Sequence, residues 1–447
     1  MSGGADTADS FGGFVACAHR AGRLVVQPRM GMSRPRDMRA GLLATKRANA
    51  TTAGTITVDS YTRMGDHSAA RAAVAARASL NGYPIVTYDR GVTRAVLDGV
   101  AEAGFPVQVR HGSPCPEAIF AALIDAGLHA TEGGPVSYCL PYSRAPLADS
   151  VRNWTRACQL LARLRDKGLE PHLESFGGCM MGQLCPPGLL IALSVLECMF
   201  FRQHGIRSVS LSYAQQTSAD QDAEAVLALR RLAAEWLPDV DSHVVIYAYM
   251  GVYPRTPDGA LSLLAEAARL AVRTGASRLI VKTVSEAHRI PSVADNVLAL
   301  ETAAAVAAAE RRAPAPGPVP DTGIYAEARA LMHAVLDLGE DIGRGLRQAF
   351  QRGYLDIPYC LHPDNARKAR SYVDEAGRLQ WASTGAMPLH GVVQPAGGAE
   401  LTASGLLAAL SYVERKYDGA SIKAGAVRQL PAADGGTDAA GELKGAM

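Results

Sequence analysis

Three arginines each follow or end a short apolar run. Arg29 comes after VVQP, Arg63 after TVDSYT, and Arg110 ends PVQV. A guanidinium grips a carboxylate through two parallel N–H bonds. Three of them converging would hold an anionic small molecule with two or more carboxylates. The alternative for each is a salt bridge to a neighbouring loop carboxylate. Glu132 lies in TEGGPVSYCLPY, where adjacent glycines let backbone and ligand approach closely. Tyr138 and Tyr142 follow in the same segment. A glutamate and two tyrosines beside arginines could bind an amino group and a carboxylate; the segment also reads as an ordinary loop. Glu174 and Phe176 lie in LESFGG, where a strand-like run meets glycines. Glu174 suits either the site or a rim salt bridge. Lys282 closes the apolar run LIVK, and Glu286 follows four residues later. A lysine closing a buried strand costs desolvation unless paired. It therefore either pairs with a barrel glutamate or binds ligand hydroxyls.

Other chemistries find no motif. GxGxxG, GxxxxGK(S/T), HExxH and GxSxG are all absent. Rossmann dinucleotide binding, P-loop phosphate chemistry, zincin hydrolysis and a nucleophile elbow therefore lack support. The eight cysteines, at 17, 115, 139, 158, 179, 185, 198 and 360, form no CxxC pair. Zinc-finger spacing is missing, and no metal-ligating set is expected on this chain.

These residues need a scaffold, and the pattern supplies one. Strand-like runs at 23–28, 54–60, 106–111, 170–176, 208–213, 243–249 and 278–283 alternate with helical runs. Weaker strands are expected near 83–88 and 136–140. Helices are expected at 146–166, 187–204, 219–236, 258–274 and 294–312. About eight such units over residues 21–312 predict a (β/α)8 TIM barrel of the α/β class, with the active site at the C-terminal ends of the strands. Residues 1–20 read as a disordered tail. APAPGPVP at 313–320 opens a linker and C-terminal helical and loop extension that runs to 420, with helices at 325–352 and 401–416. Residues 421–447 read as a second disordered tail.

The chain has 447 residues, 48% hydrophobic and 20% charged, so a large core is available. A net charge of +2 provides no strong field for nucleic acid or an anionic membrane. The polar start, MSGGADTADSFGGF, has no apolar signal region, and the apolar run 189–201 is too short to span a bilayer. A cytoplasmic protein with reduced thiols is expected.

The chain resembles the large (ε) subunit of adenosylcobalamin-dependent glutamate mutase, also called methylaspartate mutase. The resemblance is carried by VVQPRMG (25–31), VDSYTR (58–63), SLNGYP (79–84), RHGSP (110–114), EGGPVSYCLPY (132–142), ESFGG (174–178), VKTVSEAHRIP (281–291) and LDIPYCLHPDNARKAR (355–370), in the family's order. It implies an isomerase that interconverts (S)-glutamate and (2S,3S)-3-methylaspartate by radical chemistry that the cofactor carries. It implies that Arg29, Arg63 and Arg110 form a claw on the substrate carboxylates, that Glu132 meets the amino group, and that Tyr138 and Tyr142 bind substrate. Glu174 and Phe176 match active-site positions. Lys282 and Glu286 match residues that hold the adenosyl ribose, and Met250 is grouped with them as cofactor-binding.

The family places cobalamin on a separate small (σ) subunit that carries DxHxxG. The nearest approach here is Asp241-Ser242-His243, with Ile246 at the glycine position. The resemblance thus implies a cobalamin-binding partner, and a homodimer of this chain within a heterotetramer. There are departures. SYAQQT (212–217) stands where the family often reads GYGECGN, Tyr247 where it often has His, and Pro135 where it has Gly. The segment GGCMMGQLCPP after Phe176 differs too, and the N-terminal region is shorter. These changes suggest a biosynthetic role, with methylaspartate made for a specialised metabolite. The alternatives are a mutase-like barrel acting on a different amino or carboxylic acid, a non-catalytic acid-binding barrel, and a lyase using Lys282 as a Schiff-base amine.

Overall fold

The computed structural model describes residues 10–180, 184–314, 317–396 and 402–428. Eight parallel strands form one sheet: β1 (Val25–Gln27), β2 (Gly54–Thr57), β3 (Val107–Arg110), β4 (Ala130–Gly133), β5 (His172–Ser175), β6 (Ser208–Ala214), β7 (Asp241–Tyr247) and β8 (Arg278–Ile280). Their order is β1-β8-β7-β6-β5-β4-β3-β2. Val26 brings the two edges together. It bridges Thr52, and its amide donates to the Thr51 carbonyl at 2.9 Å. This is the (β/α)8 barrel expected from the alternation. Every residue of β3, β4, β5 and β6 is buried. Parallel strands covered on both faces bury without alternation.

A short helix, α1 (Phe11–Arg20), precedes the barrel. Helix α2 (Pro35–Arg47) follows β1, and α3 (Ser60–Met64), α4 (His67–Ala75) and α5 (Arg90–Leu97) follow β2. Then α6 (Glu117–Asp125), α7 (Leu147–Ala162), α8 (Pro187–Gln203), α9 (Ala219–Trp236), α10 (Pro257–Arg273) and α11 (Val293–Glu310) follow β3 to β8 in turn. Ser10 caps α1, and Ser292 with Asp295 forms a capping box on α11. Helix α8 is apolar on nearly every side. A helix of that kind must be covered all round. It lies between the barrel and the extension helices α12 (Ile324–Leu336) and α13 (Ile342–Arg352).

The structure corrects several expectations. Residues 10–20 are ordered, with α1 lying across the N-terminal ends of the strands. Phe11 is fully buried, stacked 4.9 Å from the His172 ring and 4.9 Å from the Arg278 guanidinium carbon. Residues 1–9 lie outside the described residues. The segment 83–88 is no strand: Tyr83 alone bridges Val58, and Pro84 begins a turn. Nor is 136–140. There Tyr138 N donates to the Gly134 carbonyl and Leu140 N to that of Val136, as in a helical turn. The strand of that unit is β4, whose Ala-Thr-Glu-Gly sequence carries little strand signal. The single helix expected at 325–352 is two. Gly339, at φ 135°, breaks it, and Asp341 caps α13.

The extension continues with a hairpin, β9 (Arg370–Val373) and β10 (Leu379–Ser383), then α14 (Ala403–Leu410) and α15 (Tyr412–Arg428). Residues 421–428 therefore continue a helix where a disordered tail was expected; 429–447 lie outside the described residues. Asp418 of α15 accepts hydrogen bonds from the amides of Arg255 and Thr256 at the start of α10. Upstream, residues 360–364 hold the loop after β4. His362 Nε2 meets the Ala145 carbonyl at 3.0 Å, and Asp364 accepts from Leu147 N at 2.7 Å. All eight cysteines are free. Among the described residues no helix is long and apolar enough to cross a membrane.

Candidate functional site

The loops leaving the C-terminal strand ends enclose a cavity of 360 Å³. It is lined by Arg29, Arg63, Arg110, Glu132, Tyr138, Tyr142, Phe176, Met250 and Lys282, with others. These are nine of the eleven residues the sequence nominates. The other two adjoin it. Glu174 is fully buried, its Oε1 3.5 Å from Nη1 of Arg110. Glu286 faces Lys282, with Oε2 3.6 Å from Nζ.

Strand register explains the convergence. Glu132 of β4 sits directly beside Glu174 of β5. Neighbouring carboxylates on one face of a sheet repel, so cations must lie between them. Arg110 Nη2 donates to Glu132 Oε2 at 3.2 Å, and Nη1 donates to the Tyr247 hydroxyl at 2.7 Å. Tyr247 donates in turn to Glu174. Arg278 also donates to Glu174, and reaches Gln27 at 2.5 Å and Ser210 at 3.0 Å. Burial opposes the Glu174 charge, but Arg278 and Arg110 outweigh it and hold the carboxyl down at about 2. Burial pushes Glu132 up, with Arg110 opposing. Its Oε1 accepts from the Tyr138 hydroxyl and from the His111 amide at 3.1 Å.

The three arginines therefore differ. Arg110 is already engaged by two carboxylates and a phenol. Among the described residues Arg29 reaches only the Met250 sulfur, at 4.0 Å. Arg63, on α3, has no ion pair among the described residues, and its side chain passes over Gly112, where a Cβ would come within 2.9 Å of it. Two guanidiniums thus face the cavity without a carboxylate. Lys282 is desolvated, which lowers its ammonium to about 8 although Glu286 opposes the change. The Tyr253 ring lies 5.0 Å from its Nζ. Tyr138 is buried while Tyr142 is 45% exposed at the cavity edge, and both rings pack near Phe176.

The sequence reading does not nominate Gln27, Gln108, His111 or Arg278, and treats Tyr247 only as a departure. Each is buried in or under the site. The available signal is a polar residue among valines in a covered strand, as in VVQ and VQVR. His243, nearest to a cobalamin-type histidine, lies in β7 stacked 5.2 Å from His172 and accepts from Arg278 at 3.4 Å. That places it in the lower core. Of the differing segment after Phe176, residues 181–183 lie outside the described residues.

The family model described as Methylaspartate mutase E chain matches residues 7–405. The glutamate mutase epsilon subunit of Escherichia coli O157:H7 is 29% identical over 389 residues, covering 83% of this chain and 79% of that one. That of Halobacterium salinarum is 30% identical over 387 residues, covering 84% and 80%. That of Haloarcula marismortui is 31% identical over 337 residues, covering 72% and 68%.

Proposed function

The chain belongs to the methylaspartate mutase E chain family, and from that premise we propose that it is the catalytic subunit of a glutamate mutase. The reaction is the isomerisation of (S)-glutamate to (2S,3S)-3-methylaspartate. The observation that carries this reading is the pair of uncommitted guanidiniums, Arg29 and Arg63, beside Glu132. Two cations answer the two carboxylates of an amino dicarboxylate. Glu132, backed by Arg110 and Tyr138, receives the substrate ammonium. Phe176, Tyr138 and Tyr142 supply apolar walls that keep water from the reacting carbons.

The cofactor of this reading is adenosylcobalamin, which when bound supplies the radical that starts the rearrangement. The residues present suit its adenosyl end. Lys282 and Glu286 offer a donor and an acceptor for ribose hydroxyls, and Met250 lies beside them. On this reading the cobalamin is carried by a separate small subunit, as the family resemblance implies. Tyr61, Met64, Val252, Ile290 and Leu361 support a docking face at the mouth, being exposed apolar side chains on or beside its loops. The assembly proposed is a heterotetramer built on a homodimer of this chain.

The test is incubation of the full chain with (S)-glutamate, adenosylcobalamin and the cobalamin-binding small subunit from the same genome, followed by proton NMR. The expected outcome is 3-methylaspartate that disappears when either cofactor or small subunit is omitted. No product, with a small subunit proven competent on another large subunit, overturns the assignment.

A further inference from the structure

We propose that Glu197 is a positioning residue for the substrate site, setting the turn that brings Tyr138 onto Glu132. The proposal rests on the reading above, that the cavity binds an amino dicarboxylate. Glu197 interrupts the apolar run of α8 and is fully buried. An acidic group there is costly unless its oxygens are satisfied. Among the described residues its carboxyl accepts four hydrogen bonds, all from the loop after β4 or the end of β5. Oε1 accepts from Val136 N at 3.1 Å and Ser137 N at 2.8 Å. Oε2 accepts from the hydroxyls of Ser137 and Ser175, both at 3.0 Å. Among the described residues those two amides have no other acceptor.

The fit is close. A Cβ on Gly134 would lie 2.0 Å from Oε1 of Glu197, so the chain passes directly over the carboxyl. The turn this anchors is closed by Tyr138 N to the Gly134 carbonyl at 3.2 Å and Cys139 N to that of Val136 at 3.1 Å. Its product is the direction of Tyr138, whose hydroxyl donates to Glu132. Glu132 faces the cavity; Glu197 does not line it. Glu197 thus acts through Tyr138.

Burial pushes Glu197 up to about 7 against the hydrogen bonds that oppose it. A neutral isostere should therefore serve. Glutamine offers one oxygen to both amides and an NH2 to hydroxyls that can accept. Aspartate is one methylene too short to reach.

The experiment is calorimetric titration of the full chain with (S)-glutamate for wild type, E197Q, E197D, E197A and G134A, each repeated in a Y138F background. E197Q is expected to bind within about threefold of wild type, while E197D and E197A weaken binding about tenfold or more. G134A disturbs the same contact from the other side, should weaken binding likewise, and serves if E197A does not fold. In Y138F the further loss is expected to shrink below about threefold, because the relay is already cut. Unchanged affinity in E197D and G134A, or equal losses with and without Tyr138, overturns the role and leaves the cavity reading intact. A folded wild type that binds neither glutamate nor 3-methylaspartate overturns both.

Discussion

Arg110 and Tyr247 meet inside the barrel, the guanidinium Nη1 donating to the phenol oxygen at 2.7 Å while that phenol donates on to Glu174. The phenol thus links a cation lining the cavity to a carboxylate below it. Y247F removes both bonds and leaves an Arg110 nitrogen short of a partner in a buried place. The expected cost is about 1–3 kcal/mol in urea unfolding. A loss below ~0.5 kcal/mol would show that Arg110 is held by its carboxylates alone.

Arg29 and Arg63 carry the opposite expectation. Among the described residues neither has a carboxylate partner, so neither should matter to stability. R29Q and R63Q should each weaken glutamate binding by about 10- to 100-fold, or ~1.5–3 kcal/mol, and leave unfolding unchanged within about 0.5 kcal/mol. Calorimetry beside a urea titration reads both. A large fall in stability with affinity intact would make them structural.

Arg278 is fully buried and joins Glu174 to the glutamines of the barrel floor. Among the described residues, R278M leaves that carboxylate with Arg110 as its one ion-pair partner. Breaking a buried pair in this way costs about 3–5 kcal/mol. It should also move acid unfolding. Glu174 is held at about 2 against an ordinary 4.5, so its contribution is complete above 4.5 and is lost as pH falls through 2. In R278M the native value rises toward 4.5, that contribution shrinks, and the less stable protein should begin to unfold at higher pH, as circular dichroism during acid titration would reveal. The same onset as wild type would remove Arg278 from the account.

Glu327 behaves with the reverse sign. It lies in the first turn of α12 and accepts from Trp381 Nε1 at 2.9 Å. Burial pushes it up to about 7, against the Trp381 bond. Between 4.5 and 7 the native state keeps a proton that the unfolded chain releases, so stability falls as pH rises, by at most about 1.4 kcal/mol per unit. E327Q has no such proton and can still accept from Trp381. Its stability relative to wild type should climb across that window, measured by urea unfolding at several pH values. A constant difference would show that the carboxyl ionises freely.

The barrel was legible because apolar runs such as RLIV and SVSL recur between long amphipathic helices. Strand β4 was not, since Ala130 to Gly133 is chosen for what lines the site rather than for strand propensity. Helix α1 was missed for a related reason: FGGFVACAHR is glycine-rich, and its order comes from Phe11 docking on His172, a contact between distant parts of the chain. Residues such as Arg29 and Arg110 gather at one mouth because position at a strand's end can be read from sequence. Their division of labour cannot. That Arg110 is engaged and Arg29 free depends on Glu132 and Glu174 lying side by side, which is a matter of register between strands.

Phe11 below, and the layer of Gln27, Gln108, Glu174 and Arg278 above it, fill the barrel beneath the cavity. Among the described residues, the chamber is a flask whose neck lies at the loops after the strands. If loading and unloading both use that neck, a subunit seated across it would retain product as firmly as it shields intermediates. Turnover would then be limited by how often that stopper lifts, however quickly bonds rearrange inside.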